Sequence, residues 1–210
     1  MRRYITGSAI ALSLAALMSA CQLAEKIYPY PFETAKIEFA LNGNMQGSTS
    51  VSIKGDKSVH ETHGVSTIAG TEEKIDTLII DAGDFIYTIN LNTKEGSKAP
   101  NTLTRQLREI PKEERLKFLT RIATGMNGAG TSELVPVSTK TVAGQVCEVY
   151  TIEVFGEVCL WNGIPLASNV SIPEVSLENS TEATSIELNG TIPDSVFEVP
   201  EGIILTEANS

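Results

Sequence analysis

The sequence predicts one α+β domain in which a single antiparallel sheet curls and two short helices cover its concave side. Strand-like alternation of apolar and polar residues occurs both before and after one helical region. Residues 144–172 are rich in β-branched and aromatic side chains and are typical of adjacent antiparallel strands. An antiparallel sheet of about eight to eleven strands tends to curl, which leaves a concave face for the helices to cover.

The first half of the sheet comes from residues 35–91. Ile37, Phe39 and Leu41 share one face of a strand predicted over 35–41, because alternate residues of a strand point to the same side. The same period of two predicts four further strands, over 48–54, 57–63, 75–81 and 84–91. In the last of these, Phe85, Tyr87 and Ile89 share one face.

The helical region follows at residue 101. Asn101 suits the N-cap of a first helix, and Pro111 suits the first turn of a second. Each helix has an apolar stripe at helical spacing. The stripes comprise Leu103, Leu107 and Ile110 in the first helix, and Leu116, Leu119, Ile122 and Ala123 in the second. Glycines at 125, 128 and 130 then end the second helix.

The second half of the sheet begins after these glycines. Short strands are predicted over 134–139, 145–154, 157–162, 165–172 and 182–188. Prolines and a glycine punctuate the C-terminal tail, where 192–198 and 203–205 are predicted to supply edge pieces.

The N-terminus has the pattern of a targeting segment. Arg2 and Arg3 supply its positive charge, and residues 9–17 form an apolar run that is short for a membrane span. Small residues then precede Cys21 in a stretch that resembles the bacterial motif whose cysteine is lipidated before cleavage. We therefore expect residues 1–20 to be a lipoprotein signal peptide, 21–34 a lipidated tether, and 35–210 the domain. The alternative is an ordinary secretory peptide with an incidental cysteine.

The tether should attach the domain to a membrane while keeping some distance from it. Gln22 after the cysteine resembles an outer-membrane address, and acyl chains on Cys21 would supply a durable anchor. The segment Tyr28-Pro-Tyr-Pro31 resists helix and favours extended structure, which would hold the domain off the membrane.

Composition and motifs exclude several classes of function. The formal net charge is −10 without a Lys/Arg cluster, which disfavours nucleic acid as a partner. His60 and His63 lie three apart on a predicted strand, so their imidazoles diverge, and two surface histidines are a better account than a metal site. No nucleophile elbow or phosphate-binding glycine loop occurs in the sequence. We therefore expect no enzymatic activity, no catalytic residue, no metal and no cofactor.

Cys147 and Cys159 allow two interpretations. Export to an oxidising space favours a disulfide between them. A two-residue turn at 155–156 would place Cys159 opposite residue 151 or 152 and leave the cysteines roughly 13–17 Å apart at strand spacing. A disulfide needs a Cα separation of about 5.5 Å, so a bulge or wider loop would be required. Two buried thiols are the alternative.

The apolar strand faces also allow two interpretations. The residues that could face one concavity are Ile37, Phe39, Leu41, Phe85, Tyr87, Ile89 and Trp161. They either fill a core or line a partly open apolar cavity, which would be costly unless it had a use.

Six motifs in order carry a resemblance across most of the chain after the targeting segment. They are Asp84-Phe-Ile-Tyr-Thr-Ile-Asn-Leu91, Pro111-Lys-Glu-Glu-Arg-Leu-Lys-Phe118, Cys147-Glu-Val-Tyr150, Leu160-Trp-Asn-Gly-Ile-Pro-Leu166, Glu182-Ala-Thr-Ser-Ile186 and Phe197-Glu-Val-Pro-Glu-Gly202. Together they resemble a family of bacterial lipoproteins of uncharacterised function whose fold is similar to the LolA/LolB lipoprotein carriers. The resemblance implies a strongly bent, incomplete β-barrel with helices over its opening, where the carriers hold acyl chains. The carriers' long N-terminal helix has no counterpart here, and none of their site residues is assigned.

These observations lead to one hypothesis and one alternative. The hypothesis is a periplasmic lipoprotein, anchored through Cys21 to the outer membrane, that binds a lipid or the acyl chain of a lipoprotein in a half-barrel cavity. The alternative is a non-enzymatic structural or protein-interaction module of the cell envelope with a fully packed core.

Overall fold

Twelve strands form one open sheet in the computed structural model, which describes residues 27–68, 70–124, 135–152 and 156–208. The strands of the first half are β1 (Thr34–Gly43), β2 (Met45–Lys54), β3 (Lys57–Ile68), β4 (Thr71–Asp81), β5 (Phe85–Asn90) and β6 (Glu95–Pro100). Two helices follow, α1 (Thr102–Glu109) and α2 (Lys112–Ala123). The remaining strands are β7 (Ser138–Val142), β8 (Gln145–Ile152), β9 (Gly156–Trp161), β10 (Ile164–Ile172), β11 (Leu177–Leu188) and β12 (Ile204–Glu207).

The sheet consists of two meanders that are joined by the pairing of β1 with β11, which are far apart in sequence. From edge to edge it runs β12-β6-β5-β4-β3-β2-β1-β11-β10-β9-β8-β7. Only the described pair β12–β6 is parallel, and all other neighbours are antiparallel. The curved sheet does not close into a barrel, and two short helices accompany it, so the predicted fold class is confirmed. β6 was not predicted, because the sequence of Glu95–Pro100 has little apolar character to reveal a strand.

The register of the first meander determines which side chains point to the concave face of the sheet. Ile37 lies opposite Val51, Val51 opposite His60, and His60 opposite Ile79, so these four point to the concave face. Their neighbours in sequence point to the convex face. There Val59, Leu78, Ile80 and Ile89 form a buried cluster with Phe197, which lies in a short 3-10 turn of the C-terminal segment (Asp194–Phe197).

The prediction that Phe85, Tyr87 and Ile89 share the concavity with Ile37 is wrong. These three residues lie on the convex face, where Ile89 is fully buried and Tyr87 packs beside the Phe197 cluster. Phe85 is 39% exposed, and the Lys98 Nζ lies 4.2 Å from its ring centroid. Each face of β4 and β5 carries apolar residues, so the alternation identifies residues that share a face without showing which face is inward.

The main core cluster lies where β1 and β2 meet the β7–β10 region. Its buried members are Phe32, Ala35, Ile37, Phe39, Val51, Ile53, Val142, Cys147, Val149, Cys159, Ile164, Leu166 and Ala183. Residues from both halves of the chain are therefore buried together, as expected for a sheet that curls upon itself.

Cys147 and Cys159 form a disulfide in this core, with their Cα atoms 5.4 Å apart. The two-residue turn at 155–156 is wrong, because Ile152 pairs with Gly156 and Cys159 pairs with Val149. This register shifts β9 by two or three residues relative to the expected pairing. The cysteines thereby become diagonal neighbours on adjacent strands, within the reach of a disulfide.

Candidate functional site

An apolar groove runs between the concave face of the sheet and the helices. It has two adjoining parts, which we call the helix-side cavity, of about 360 Å³, and the strand-side cavity, of about 470 Å³. Both volumes fall in the range of about 300–1,000 Å³ that is usual for small-molecule sites. The residues that border both cavities are Tyr30, Ile53, Ser58, His60, Gly163 and Pro165.

The helices form one wall of the helix-side cavity. Asn101 caps α1 as predicted, because its Oδ1 accepts a hydrogen bond from the Thr104 N–H at 3.0 Å. The cap fixes the direction of α1, so that Leu103 borders the cavity and Leu107 is fully buried behind it. From α2, Leu119, Ile122 and Ala123 line the same cavity, in agreement with the apolar stripe that was predicted.

The segment Ile27–Phe32, which we call the strap, lies in the groove itself. The rings of Tyr28, Tyr30, Phe32 and Trp161 stack in a row, with successive centroids 5.4, 5.3 and 5.6 Å apart. Tyr28 and Phe32 are buried, at 8% and 5% exposure. The tether was predicted to hold the domain off a membrane, but from Ile27 onward it packs into the domain, because alternating aromatic residues give it an apolar side to bury.

The backbone of the strap is held by side chains of the sheet and helix. The Asp56 Oδ1 accepts hydrogen bonds from the N–H groups of Ile27, at 3.0 Å, and Tyr28, at 3.4 Å. On the other side, the Arg115 Nη1 donates to the Ile27 carbonyl at 3.4 Å. The extended backbone of the strap thus obtains hydrogen bonds without joining the sheet.

A polar cluster around Asp81 closes one end of the helix-side cavity. The Asp81 Oδ1 accepts from the Asn101 Nδ2 and the Gly83 N–H, each at 2.8 Å. The Tyr28 hydroxyl donates to the Asp81 Oδ2 at 3.5 Å and lies 3.0 Å from the Thr104 Oγ1. Burial raises the pKa of the Asp81 carboxyl above its ordinary value and raises the pKa of Tyr28 to about 12. Through these hydrogen bonds the cluster connects the strap, the sheet and α1.

His60 stands at the junction of the two cavities. Its ring borders the open groove and still meets solvent there, but protein surrounds it and lowers its pKa through desolvation. His63 lies on the opposite face, with Nδ1 2.9 Å from Asp76 and Nε2 3.0 Å from Glu61. The hydrogen bond to Asp76 is the main cause of its raised pKa. The two imidazoles diverge and both are exposed, as predicted, and the structure adds that His60 is exposed on the side of the groove.

The strand-side cavity has neutral walls. Its apolar residues include Phe39, Leu41 and Val51, and its polar groups are hydroxyls and the His60 imidazole. The Thr49 and Thr62 hydroxyls lie 2.9 Å apart across β2 and β3. None of the described residues that line this cavity is Asp, Glu, Lys or Arg.

The predicted cavity residues are thus divided by the structure. Phe39 and Leu41 line the strand-side cavity, Ile37 is buried in the core beside it, and Trp161 ends the aromatic row of the strap. The sequence reasoning missed Ile53, His60, Ile79 and Ile86, together with the strap tyrosines. The alternation of Tyr28, Tyr30 and Phe32 is the signal that could have identified the strap as buried.

Other expectations concern metals and membranes. Across the described residues, no group of three or more His, Cys, Asp or Glu is arranged to hold a metal ion. No helix in the described part of the chain has the length and hydrophobicity needed to span a bilayer. Cys21 and the targeting segment lie outside the described residues.

Comparisons with known proteins support the fold. No family model and no curated protein matches the chain. The structure is similar to an uncharacterised conserved protein from Thermus thermophilus, with a TM-score of 0.52 and 7% identity over 85% of this chain and 92% of that one. Weaker likenesses include PNGF-II (TM-score 0.47, 14% identity, 84% of this chain and 32% of that one) and MucB (TM-score 0.43, 10% identity, 82% and 60%). MucB also appears in a complex with MucA from Pseudomonas aeruginosa (TM-score 0.40, 11% identity, 80% and 56%). The first similarity shows a shared fold alone, and the structural similarity of the others is too low to indicate a function.

Proposed function

We propose that this protein binds a hydrophobic ligand, a lipid or the acyl chain of a lipoprotein, in the groove between sheet and helices. The observation that carries the proposal is the open apolar wall of the groove. Ile79 is 38% exposed even though it faces the concave side, where a packed core would bury it. Exposed apolar surface that lines a concave groove is typical of a binding site, so the groove is best explained by an apolar ligand.

The proposed activity is binding without chemistry. Of the titratable groups that line the groove, Asp56, Asp81 and Tyr28 are engaged in hydrogen bonds that join structural elements. His60 and Lys57 remain as candidate bases, and the described residues that line the groove include no Cys to serve as a nucleophile. A carrier or receptor for an apolar molecule fits this arrangement better than an enzyme does.

Binding is tested by native mass spectrometry of the chain from Gln22 onward, which lacks the Cys21 anchor and is purified without detergent from the cells that express it. We expect a co-purifying lipid on wild type and its loss from an Ile79→Trp variant, in which the indole fills the groove. A Val146→Trp variant is the matched control, because Val146 is 65% exposed and borders neither cavity. Reproducible absence of lipid, together with no uptake of a fluorescent fatty-acyl probe, would overturn the proposal.

We further propose that a lipid on Cys21 holds the protein on the periplasmic face of the outer membrane. The support is the sequence alone: an N-terminal segment of signal-peptide type followed by small residues, Cys21 and Gln22. A Cys21→Ser variant should accumulate as unprocessed precursor and incorporate no labelled palmitate. Continued labelling of that variant would show that Cys21 is not the lipidation site.

A second candidate function is protein interaction at a sheet edge. Val137 and Val146 are 62% and 65% exposed beside the edge strand β7. Exposed apolar edges of this kind pair readily with another chain. Crosslinking in whole cells distinguishes the two functions, because a single stoichiometric protein partner whose crosslinks map to β7 favours the second.

A further inference from the structure

The charges around the groove constrain the head group of its ligand. The strand-side cavity offers hydroxyl groups from Ser58, Thr49 and Thr62 and one imidazole, and its described lining carries no charged side chain. Among the described residues lining the helix-side cavity, Asp56 and Asp81 are acidic, Lys57 is cationic and His60 carries an imidazole. The groove is therefore neutral in one part and has an excess of carboxylates in the other.

Such surroundings disfavour an ionised ligand. A carboxylate or phosphate that entered the strand-side cavity would lose part of its hydration without gaining a cationic partner, which disfavours its binding there. Among the described residues of the helix-side cavity, the anion would lie near two acidic residues, Asp56 and Asp81, and only one lysine, Lys57. The protein's net charge of −10 adds a repulsive field for anions.

An uncharged polar head group finds partners at the same place. His60 has a lowered pKa and is neutral near pH 7, so one ring nitrogen donates and the other accepts a hydrogen bond. Ser58 and His60 both border the two cavities, which places hydrogen-bonding groups at the middle of an otherwise apolar groove. Ester carbonyls and hydroxyls are the groups that such a site can satisfy.

We propose that the groove selects an amphiphile with an uncharged glyceryl-ester head group and discriminates against free fatty acids and phosphates. This inference rests on the proposed function and specifies its ligand. Ester carbonyls and glyceryl hydroxyls lie against His60 and Ser58, and the acyl chain lies along Phe39, Leu41 and Val51. A monoacylglycerol and the diacylglyceryl-modified N-terminus of a lipoprotein share this uncharged glyceryl ester, although only the monoacylglycerol also carries free hydroxyls.

The test uses the full-length protein in lipid nanodiscs and two photoactivatable, alkyne-tagged probes. One probe is 1-monopalmitoylglycerol and the other is palmitate, both at pH 9, where the fatty acid is ionised and His60 is neutral. Adducts are quantified on peptides of β2 and β3. We expect about tenfold or more labelling by the glyceryl ester, a ratio that corresponds to about 1.4 kcal/mol of discrimination.

Charge substitutions show whether the groove decides this preference. His60→Lys introduces a cation at the junction of the cavities. It should reduce the preference for the glyceryl ester over palmitate, or reverse it. His63→Lys is the matched control on the opposite face of the same strand, and it should leave the ratio unchanged. Ser58→Lys makes the same test if His60→Lys does not fold.

The outcomes separate this inference from the proposed function. Equal or stronger labelling of wild type by palmitate, or a ratio that neither groove lysine changes, overturns the neutral-head inference while lipid binding stands. Labelling of groove peptides by neither probe overturns the proposed function itself. Displacement by unlabelled monopalmitoylglycerol or by a diacylglyceryl-cysteine peptide, but not by palmitate, supports the inference and identifies the source of the head group.

Discussion

At the scale of single residues, the two histidines show how the face of a strand sets proton affinity. His60 and His63 lie three positions apart on β3, one towards the groove and the other towards Asp76 and Glu61. Desolvation lowers the pKa of His60, and hydrogen bonding to Asp76 is the main cause of the raised pKa of His63. Neighbouring positions of one strand therefore respond oppositely to acid.

This contrast predicts opposite effects of two substitutions on the pH dependence of stability. Below the unfolded pKa of about 6.5, unfolded His60 binds a proton more readily than folded His60, so acid destabilises the fold through this residue. His60→Gln should therefore gain stability relative to wild type as the pH falls from about 7 to 5. His63 stabilises the fold below about pH 6.5 and loses that contribution as the pH rises through its folded pKa. His63→Gln should consequently be less stable than wild type in acid, with the difference shrinking at higher pH.

Urea unfolding of the three proteins at pH 5 and pH 8 measures these effects. The sign of each difference is more informative than its size, because His63 is largely exposed and solvent screens its interactions. Parallel changes in the two variants would contradict the assignment of the two rings to opposite faces.

At the scale of elements, the strap is held by one carboxylate at its start. The Asp56 Oδ1 is the acceptor for the amides of Ile27 and Tyr28. Asp56→Ala should expose those two amides to solvent and speed their hydrogen exchange, while the amide of the buried Ile37 in β1 keeps its protection. Asp56→Asn retains an acceptor oxygen and is the matched control. Unchanged exchange at Ile27 and Tyr28 in the alanine variant would show that aromatic stacking and the Arg115 hydrogen bond hold the strap without Asp56.

The disulfide gives a prediction for the β8–β9 hairpin. Cys147 and Cys159 are 12 residues apart in sequence, so their bond closes a short loop and should stabilise the fold by about 2–3 kcal/mol. A Cys147→Ala/Cys159→Ala double variant should lose that amount in urea unfolding, and adding reductant to the variant should change nothing further. Mass spectrometry of alkylated, unreduced protein checks the bond directly, because two labelled thiols beyond Cys21 would exclude it.

Local patterns explain why some of these elements were predictable from sequence and others were not. Asn101 and Pro111 mark helix starts through their own chemistry, so α1 and α2 could be placed before any tertiary structure was known. The face of Tyr87 depends on contacts between distant segments, and the pairing of Cys159 with Val149 depends on the register of a local hairpin. Periodicity does not contain that information, because it fixes which residues share a side but not what covers that side. The alternation of Tyr28, Tyr30 and Phe32 shows that the strap has an apolar side, but the surface that covers it comes from distant segments.

At the scale of the whole molecule, the strap and the C-terminal segment pack on opposite faces of one sheet. The strap and helices cover the concave face and leave the groove, whereas the C-terminal segment packs Phe197 against the convex face. The concave face therefore carries the apolar groove, and the convex face carries the Phe197 cluster with a cavity of about 500 Å³ beside it. This division predicts that stability and ligand binding respond to different substitutions.

The prediction compares one residue on each face. Phe197→Ala removes a ring that is 5% exposed from a cluster with Val59 and Ile80, so it should lower the free energy of unfolding by about 3–5 kcal/mol. At temperatures where it remains folded, its labelling by the monopalmitoylglycerol probe should match wild type. Ile79→Trp on the groove wall should change stability by less than about 1 kcal/mol and abolish labelling. Loss of labelling in folded Phe197→Ala would mean that the two faces are coupled, and full labelling of Ile79→Trp would place the ligand outside the groove.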